Sequence, residues 1–299
     1  MSRLSGESLR WSVLRRCYAK SHIGWKILIL PILRRGLPKK LAEKRETSRE
    51  TGNEAVTESA KHGRFRVMTL NCRFGRANAA AIVSAVKKHD IAVLALQELT
   101  DDLVAQLDAS GLSDLLPYRQ LGESKGTDNG GFNGVWIRIE PSDMSPVTAV
   151  IPAADVPGVC FPIDSMRGIT FVSAHPKSPM RGCREWSAGI IGLGELATTQ
   201  KQGDITVVLG DLNSGTDHPS FRKLLNAGFK DAALCEAKGR HATFPSWLPW
   251  PRIILDHVLF TKGLDASDVS SFCVEGSDHL CACCHVDVEV VDGDYKVVD

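Results

Sequence analysis

The chain has 299 residues, of which 43% are hydrophobic and 24% charged, with a net charge of +1. These values allow one large domain or two small ones with a sizeable core. The charge is uneven: residues 1–62 carry 14 Lys/Arg against 6 Glu, and the rest of the chain has a balance of −7. An acidic body argues against broad electrostatic capture of nucleic acid, which needs a basic face.

Residues 1–62 are predicted to form a separate, largely disordered basic arm. Residues 41–62 are rich in Glu, Lys, Arg, Ser and Thr and have too few large apolar side chains to form a core. Trp11, Leu14 and Tyr18 follow helical spacing among basic residues, so the arm is a candidate for contact with an anionic membrane surface. A tail without a role fits the composition equally. No run reaches the roughly 18 apolar residues that cross a bilayer, and the location stays open between cytoplasmic and peripheral membrane.

From residue 63 to residue 299 the pattern predicts one α/β domain in which strands and helices alternate. Apolar runs predict strands over residues 65–70, 91–96, 168–174, 205–209, 253–260 and 285–291. Helical spacing of apolar residues predicts helices beginning near residues 79, 101, 186 and 217. In the last of these, Pro219 occupies the first turn, where proline is tolerated.

Polar side chains lie at or near the ends of these predicted strands, except that Asp256 interrupts the apolar strand predicted over residues 253–260. They are Asn71, Glu98, His175, Asp211 with Asn213, Asp256, and Asp278 with His279. Loops at strand ends converge over a rigid sheet, which is where ligand and catalytic groups gather in layered α/β proteins. Carboxylate and amide oxygens suit Mg²⁺ or Mn²⁺, and no thiolate belongs to the set. Imidazoles beside carboxylates can act as general base and phosphate donor, so the pattern indicates hydrolysis of a phosphoester.

The chain resembles the endonuclease/exonuclease/phosphatase superfamily of deoxyribonuclease I-like phosphoesterases over about residues 64–292. The resemblance lies in six motifs that occur in the family's order: Leu70-Asn71, Gln97-Glu98, Ser173-Ala174-His175-Pro176, Gly210-Asp211-Leu212-Asn213, Leu255-Asp256-His257 and Gly276-Ser277-Asp278-His279. Each motif is weak alone, but six in order are specific. The resemblance implies a four-layer α/β/β/α sandwich of two mixed sheets with the site at one end.

The resemblance also implies a role for each residue. Glu98 would be the principal metal ligand, supported by Asn71 and Asp278. Asp211 and Asn213 would position the attacking water and the phosphate oxygens. His279 would be the general base held by Asp256, and His175 would donate to a phosphate oxygen. Asn133 would line the phosphate pocket.

We therefore expect a monomeric, Mg²⁺- or Mn²⁺-dependent hydrolase of phosphodiesters or phosphomonoesters. The compact acidic body favours a small or lipid-linked phosphoester, and a nuclease is the alternative. A catalytically inactive binding module is the third hypothesis, against which the intact acid, amide and imidazole positions argue.

Three further features have simpler interpretations. Alternation along a strand points His257 away from Asp256 and predicts a structural role for it. Alternation also puts Cys281 and Cys283 on one face and Cys284 on the other, which argues against a zinc site there. Trp247 and Trp250, in a proline-rich loop before Asp256, are expected to pack against the body, with contact to substrate or lipid as the alternative.

Overall fold

A computed structural model describes residues 61–123, 130–145, 148–149, 151–152, 154–199, 201–239 and 241–290. The arm predicted over residues 1–62 lies outside this part of the chain except for its last two residues, which begin the first strand. Its disorder and its contact with membranes therefore stay predictions. Within the described ranges, no helix is both long and apolar enough to cross a membrane.

The described residues form twelve strands and seven helices. The strands are β1 Lys61–Asn71, β2 Val93–Leu99, β3 Tyr118–Leu121, β4 Phe132–Ile137, β5 Asp143–Ser145, β6 Gly158–Pro162, β7 Gly168–Ser173, β8 Ile205–Asp211, β9 Lys230–Asp231, β10 Asp256–Phe260, β11 Leu264–Cys273 and β12 Leu280–Val290. The helices are α1 Ala79–Lys88, α2 Asp101–Ala109, α3 Leu112–Leu115, α4 Cys183–Gly192, α5 Glu195–Thr198, α6 Pro219–Asn226 and α7 Ala232–Glu236.

The strands form two mixed six-stranded sheets. One has the order β11-β12-β1-β2-β4-β3 and the other the order β5-β6-β7-β8-β10-β9. Each sheet has one parallel pair at its centre, β1 with β2 and β7 with β8. The other pairings are antiparallel.

Alternation along the central strands produces the four layers. Val67 and Val93 point between the sheets and join a core with Phe161 and Val207 of the second sheet. The intervening residues of β1 and β2 point outward and are covered by α1, α2 and α3. The second sheet is covered in the same way by α4, α5 and α6. The α/β/β/α sandwich implied by the resemblance is confirmed.

The elements predicted from apolar runs are present, with one correction. Asp256 does not interrupt an apolar strand; it is the first residue of β10, and Ile253 forms only an isolated bridge with Phe244. Cys281 and Cys283 face the helices while Cys284 faces the second sheet, as alternation predicts. The strands β3 and β11 lie at one edge each of the first sheet and carry few fully buried residues, so their sequences have no continuous apolar run.

The topology brings strand ends from both sheets to one end of the sandwich. Because β1 and β2 are parallel, Asn71 and Gln97 end up side by side. Because β12 runs antiparallel to β1, its start lies beside the end of β1. In the second sheet Asp256, at the start of β10, pairs in register with Asp211, at the end of β8.

Candidate active site

An irregularity in the pairing of β2 with β4 directs the Glu98 side chain into the candidate site. The register shifts between Leu96 and Leu99, and Glu98 adopts a left-handed φ of 55°. Gly131 has a φ of 144°, and a Cβ added there would lie 2.3 Å from the carbonyl oxygen of Leu99. A bulge of this kind re-aims a side chain at the end of a strand. Glycine at position 131 is therefore required for the turn that directs Glu98 into the site.

Asn71 connects two carboxylates from different sheets. Its Nδ2 donates to Glu98 Oε1 at 3.1 Å and to Asp211 Oδ2 at 3.0 Å. Its Oδ1 accepts the backbone N–H of Arg73 at 2.8 Å. Glu98 Oε2 in turn accepts the backbone N–H of Phe74 at 2.9 Å. Ligation of a metal by Asn71 through its oxygen would require the amide to turn over, since its nitrogen faces the pocket.

His175 faces the same two carboxylates. Its Nε2 lies 3.5 Å from Asp211 Oδ2 and 3.8 Å from Glu98 Oε1, and its side chain is buried. Burial would lower the pKa of His175, but the hydrogen bond and charge of Asp211 and the charge of Glu98 raise it. A protonated Nε2 at this position is a donor for an oxygen of a bound phosphate.

Asp256 and His279 form a buried acid–imidazole pair. Asp256 Oδ2 lies 2.8 Å from His279 Nδ1, and His279 Nε2 lies 3.7 Å from Asp211 Oδ2. The other oxygen of Asp256 is buried without a hydrogen-bond partner among the described residues. With Nδ1 engaged by Asp256, Nε2 is the ring nitrogen that faces the centre of the site.

The carboxylates determine the protonation of this end of the site. Burial would lower the pKa of His279, but the charges of Asp256 and Asp211 outweigh it and raise this pKa to about 10. Burial would raise the pKa of Asp211, but the charge of His279 and the hydrogen bond from His175 hold it well below its usual range. Without a further cation, the site therefore holds an ionised Asp211 beside a protonated His279.

The predicted site residues Asn213 and Asp278 have different surroundings. The backbone N–H of Asn213 donates to Asp211 Oδ1 at 2.8 Å, and Asn213 Nδ2 donates to the carbonyl of Pro176 at 3.2 Å. Asp278 is partly exposed, and its Oδ2 lies 3.7 Å from Arg73 Nε. These contacts keep Asn213 within the Asp211 loop and Asp278 at the edge of the site. The metal-binding role of Asp278 stays a prediction.

Asn133 is wholly buried in β4. Its Nδ2 donates to the backbone carbonyl of Asp155 at 2.7 Å, so its donor group is engaged within the fold. Its Oδ1 is buried and has no hydrogen-bond partner among the described residues. The role of Asn133 in binding substrate stays a prediction.

Residues to which the sequence pattern assigned no role hold the segments of the candidate site in place. Ser277 Oγ donates to the carbonyl of Asn71 at 2.7 Å and accepts the N–H of His279 at 2.9 Å. Thr243 Oγ1 accepts the N–H of Asp256 at 3.2 Å. The Phe244 ring lies 4.8 Å from the His279 ring. Ser277 lies inside a recognised motif, but Thr243 and Phe244 carry no signal that marks them in advance.

His257 has the structural role that alternation predicts. It is buried, with Nδ1 at 2.7 Å from Asp231 Oδ2 and Nε2 at 2.8 Å from the carbonyl of Ser214. Burial would lower the pKa of His257, but the hydrogen bond and charge of Asp231 raise it. A ring with an acceptor at each nitrogen suits the doubly protonated form.

The site combines acid, amide and imidazole groups, which are the kinds of group that bind a divalent cation and a phosphate. These groups come from the six sequence motifs. A sequence model of the Endonuclease/Exonuclease/phosphatase family matches residues 68–279, a range that contains all the predicted metal-binding and catalytic residues and Asn133. The chain belongs to this family. Among curated proteins, none matches it in sequence.

Solved structures of the endonuclease/exonuclease/phosphatase fold superpose on most of the chain. A humanized TDP2 from D. rerio has a TM-score of 0.60 at 16% identity, covering 75% of this chain and 98% of that one. Sphingomyelinase C from Streptomyces griseocarneus has a TM-score of 0.51 at 15% identity, covering 75% and 99%. A mannosyl-6-phosphatase from Bacteroides thetaiotaomicron has a TM-score of 0.53 at 16% identity, covering 74% and 99%. At these identities the likeness concerns the fold alone.

Proposed function

We propose that the chain is a divalent-metal-dependent hydrolase of phosphoester bonds. The observation that carries the proposal is the meeting of Glu98, Asp211 and His175 with the Asp256–His279 pair at one end of the sandwich. Water attack on a phosphate needs a cation, a base for the water and donors for the phosphate oxygens. The residues present match each of these needs.

Hard oxygen ligands for the cation are available. Asp211, Asp256 and His279 each offer a ligand atom within 4.8 Å of the others, so these three could bind a metal ion. Asp256 and His279 are, however, joined by a 2.8 Å hydrogen bond, which leaves no room for an ion between the bonded atoms. We therefore assign the cation to Glu98 and Asp211, whose oxygens contact the same Asn71 nitrogen, with Asp278 as a further ligand. Oxygen ligands of this type favour Mg²⁺ or Mn²⁺, which would polarise the phosphate.

His279 would then take the proton from the attacking water. Asp256 holds Nδ1 of His279, so Nε2 is the atom that takes a proton from the attacking water. That role needs a neutral ring, whereas the carboxylates raise the pKa of His279 to about 10. A cation bound by Asp211 would offset the charge of that carboxylate and so lower the pKa of His279, while Asp256 keeps its hydrogen bond to Nδ1. His175 Nε2 would donate to a non-bridging phosphate oxygen, and Asn213 would orient the substrate from the Asp211 loop.

The substrate class we favour is a small or lipid-linked phosphoester. Residues 63–299 have a charge balance of −7, which opposes long-range attraction of a nucleic acid. The similar structures include a sphingomyelinase and a sugar phosphatase, but also TDP2 with a single-strand DNA product, so fold alone leaves the class open. Nucleic acid is therefore the alternative substrate.

A substrate panel tests the proposal. Turnover with Mg²⁺ and with Mn²⁺ should be measured on bis-p-nitrophenyl phosphate, p-nitrophenyl phosphate, sphingomyelin, phosphoinositides, plasmid DNA and an abasic oligonucleotide. We expect hydrolysis of at least one non-nucleic phosphoester. Cleavage of DNA alone would favour the nuclease alternative, and binding without turnover of any of them would favour an inactive binding module.

A further inference from the structure

The loop between α7 and β10 presents exposed tryptophans beside the candidate active site. Trp247 is 62% exposed and Trp250 is 82% exposed, so the expectation that they pack against the body is wrong. Residues 244–251 contain no charged side chain. An exposed apolar patch of this kind is typical of a surface that binds a ligand, another protein or a membrane.

Hydrogen bonds hold this loop against the segment that carries His279. The backbone N–H of Ser246 donates to the carbonyl of Asp278 at 2.7 Å, and Ser246 Oγ donates to the carbonyl of Ser277 at 3.0 Å. The guanidinium of Arg252 closes the loop by donating to the carbonyls of Pro245 and Ser246 at 3.2 and 3.0 Å. The loop is thus tied to the catalytic segment, and its position depends on that segment.

Ring contacts connect Trp247 to the catalytic imidazole. The Trp247 ring meets the Phe244 ring edge to face, with centroids 5.9 Å apart. Phe244 also contacts His279, whose ring centroid lies 4.8 Å away. The exposed Trp247 ring is therefore connected through Phe244 to the His279 imidazole, which would activate water.

We propose that Trp247 binds an apolar substituent of the substrate and so determines specificity. This inference rests on the proposed function and narrows its substrate class to phosphodiesters in which one esterified alcohol carries an apolar ring or chain. Most of the surface of Trp247 is exposed, so its apolar area is available to a ligand. The surrounding loop offers no charge to hold a second phosphate, which opposes a polyanionic occupant at this place.

The experiment uses three diesters with the same leaving group. Each contains p-nitrophenol, and the second alcohol is methanol, phenol or hexanol. Ratios of kcat/KM, phenyl to methyl and hexyl to methyl, are compared among wild type, W247A, W247F and W250A. Trp250 is the matched control because it is an exposed tryptophan in the same loop, while the ring contact leading toward His279 is made by Trp247.

We expect W247A to lower at least one ratio about tenfold, the size of effect that one apolar contact supplies. W247F should retain part of the preference, and W250A should stay within about twofold of wild type. A loss in the phenyl ratio identifies ring stacking, and a loss in the hexyl ratio identifies chain binding. Unchanged ratios in W247A, or equal losses in W247A and W250A, would overturn the proposal.

Two further measurements distinguish substrate binding by Trp247 from a failure of the proposed function and from lipid binding. If wild type turns over none of the diesters, the substrate panel decides whether the proposed function fails. Titration with phenyl and methyl methylphosphonate in the presence of Mg²⁺ then tests binding of an apolar substituent by Trp247. Weaker binding of the phenyl compound to W247A than to W250A would support the proposed role of Trp247, and equal binding would overturn it. Reduced sedimentation of W247A with phosphatidylcholine vesicles, together with unchanged diester ratios, would assign the loop to a lipid surface and overturn the proposal.

Discussion

Asp256 Oδ2 lies 2.8 Å from His279 Nδ1, and both side chains are buried. This pair links the start of β10 to the start of β12 and therefore ties the two sheets together at the site. If the two residues act as one unit, H279A and D256N should each lower kcat by about 10²-fold or more, with KM little changed.

A double-mutant cycle tests this coupling. Because removal of either partner disables the same unit, the H279A/D256N double variant should be little slower than the slower single variant. The measurement is kcat for wild type, both singles and the double. Losses that multiply would mean that the two residues work independently, and the assignment of Asp256 to the base would have to be abandoned.

Glu98 is expected to supply the charge that holds the cation. The substitution Glu98→Gln removes this charge while hardly changing the side-chain volume, so it should weaken Mn²⁺ binding by at least about tenfold. Calorimetric titration of Mn²⁺ into the protein measures this directly, and kcat should fall in parallel. Glu195→Gln, on the exposed surface of α5, is the matched control. Equal Mn²⁺ affinity in wild type and E98Q would exclude Glu98 as a ligand.

The His257–Asp231 pair predicts a pH dependence of stability. The pKa of His257 is raised in the folded protein. The contribution of His257 to folding stability is therefore fully present below the pKa of the unfolded state, about 6.5, and is lost as the pH rises through the raised pKa of the folded state. Removal of one partner of a buried pair costs about 3 kcal/mol. H257Q should therefore be destabilised by about this amount below about pH 6.5 and by progressively less as the pH rises through the raised pKa of His257.

Urea unfolding of wild type and H257Q across this pH range provides the test. The two free energies of unfolding should converge as the pH rises. A difference that stays constant would show that His257 contributes by packing alone and not as a charged partner of Asp231.

The basic arm is expected to promote contact with anionic membranes. Because β1 begins at Lys61, the arm should be removed by deleting residues 1–60, which leaves the sheet intact. The deletion should reduce sedimentation with anionic liposomes, since each basic residue near such a surface contributes about 1 kcal/mol. Hydrolysis of soluble substrates should be retained, and neutral liposomes serve as the control. Equal binding of both proteins to anionic liposomes would remove the membrane role from the arm.

The sequence predicts most of the elements that build the site because these strands are covered on both faces. The runs that precede Asn71 and Asp211 are mostly apolar, and α2 begins after Thr100, whose Oγ1 accepts the N–H of Leu103. Each of these signals is local. They are sufficient to predict which polar residues follow a strand, and the family resemblance supplies the roles of those residues.

Features that depend on contacts between distant segments cannot be predicted in this way. Nothing in the sequence around Glu98 indicates its left-handed backbone, which follows from the pairing of β2 with β4 and the close approach of Gly131. The exposure of Trp247 depends on the bonds from Ser246 to the segment before His279. A proline-rich aromatic loop has the same sequence pattern whether it packs inward or faces solvent.

The decisive measurement is whether turnover requires both a divalent cation and His279. The measurement is the rate of bis-p-nitrophenyl phosphate hydrolysis by wild type and H279A after treatment with EDTA and again after addition of Mg²⁺ or Mn²⁺. We predict that EDTA abolishes wild-type turnover, that the added cation restores it, and that H279A with the cation stays at least about 10²-fold slower than wild type. Turnover that survives EDTA, or that is equal in wild type and H279A, would contradict the account.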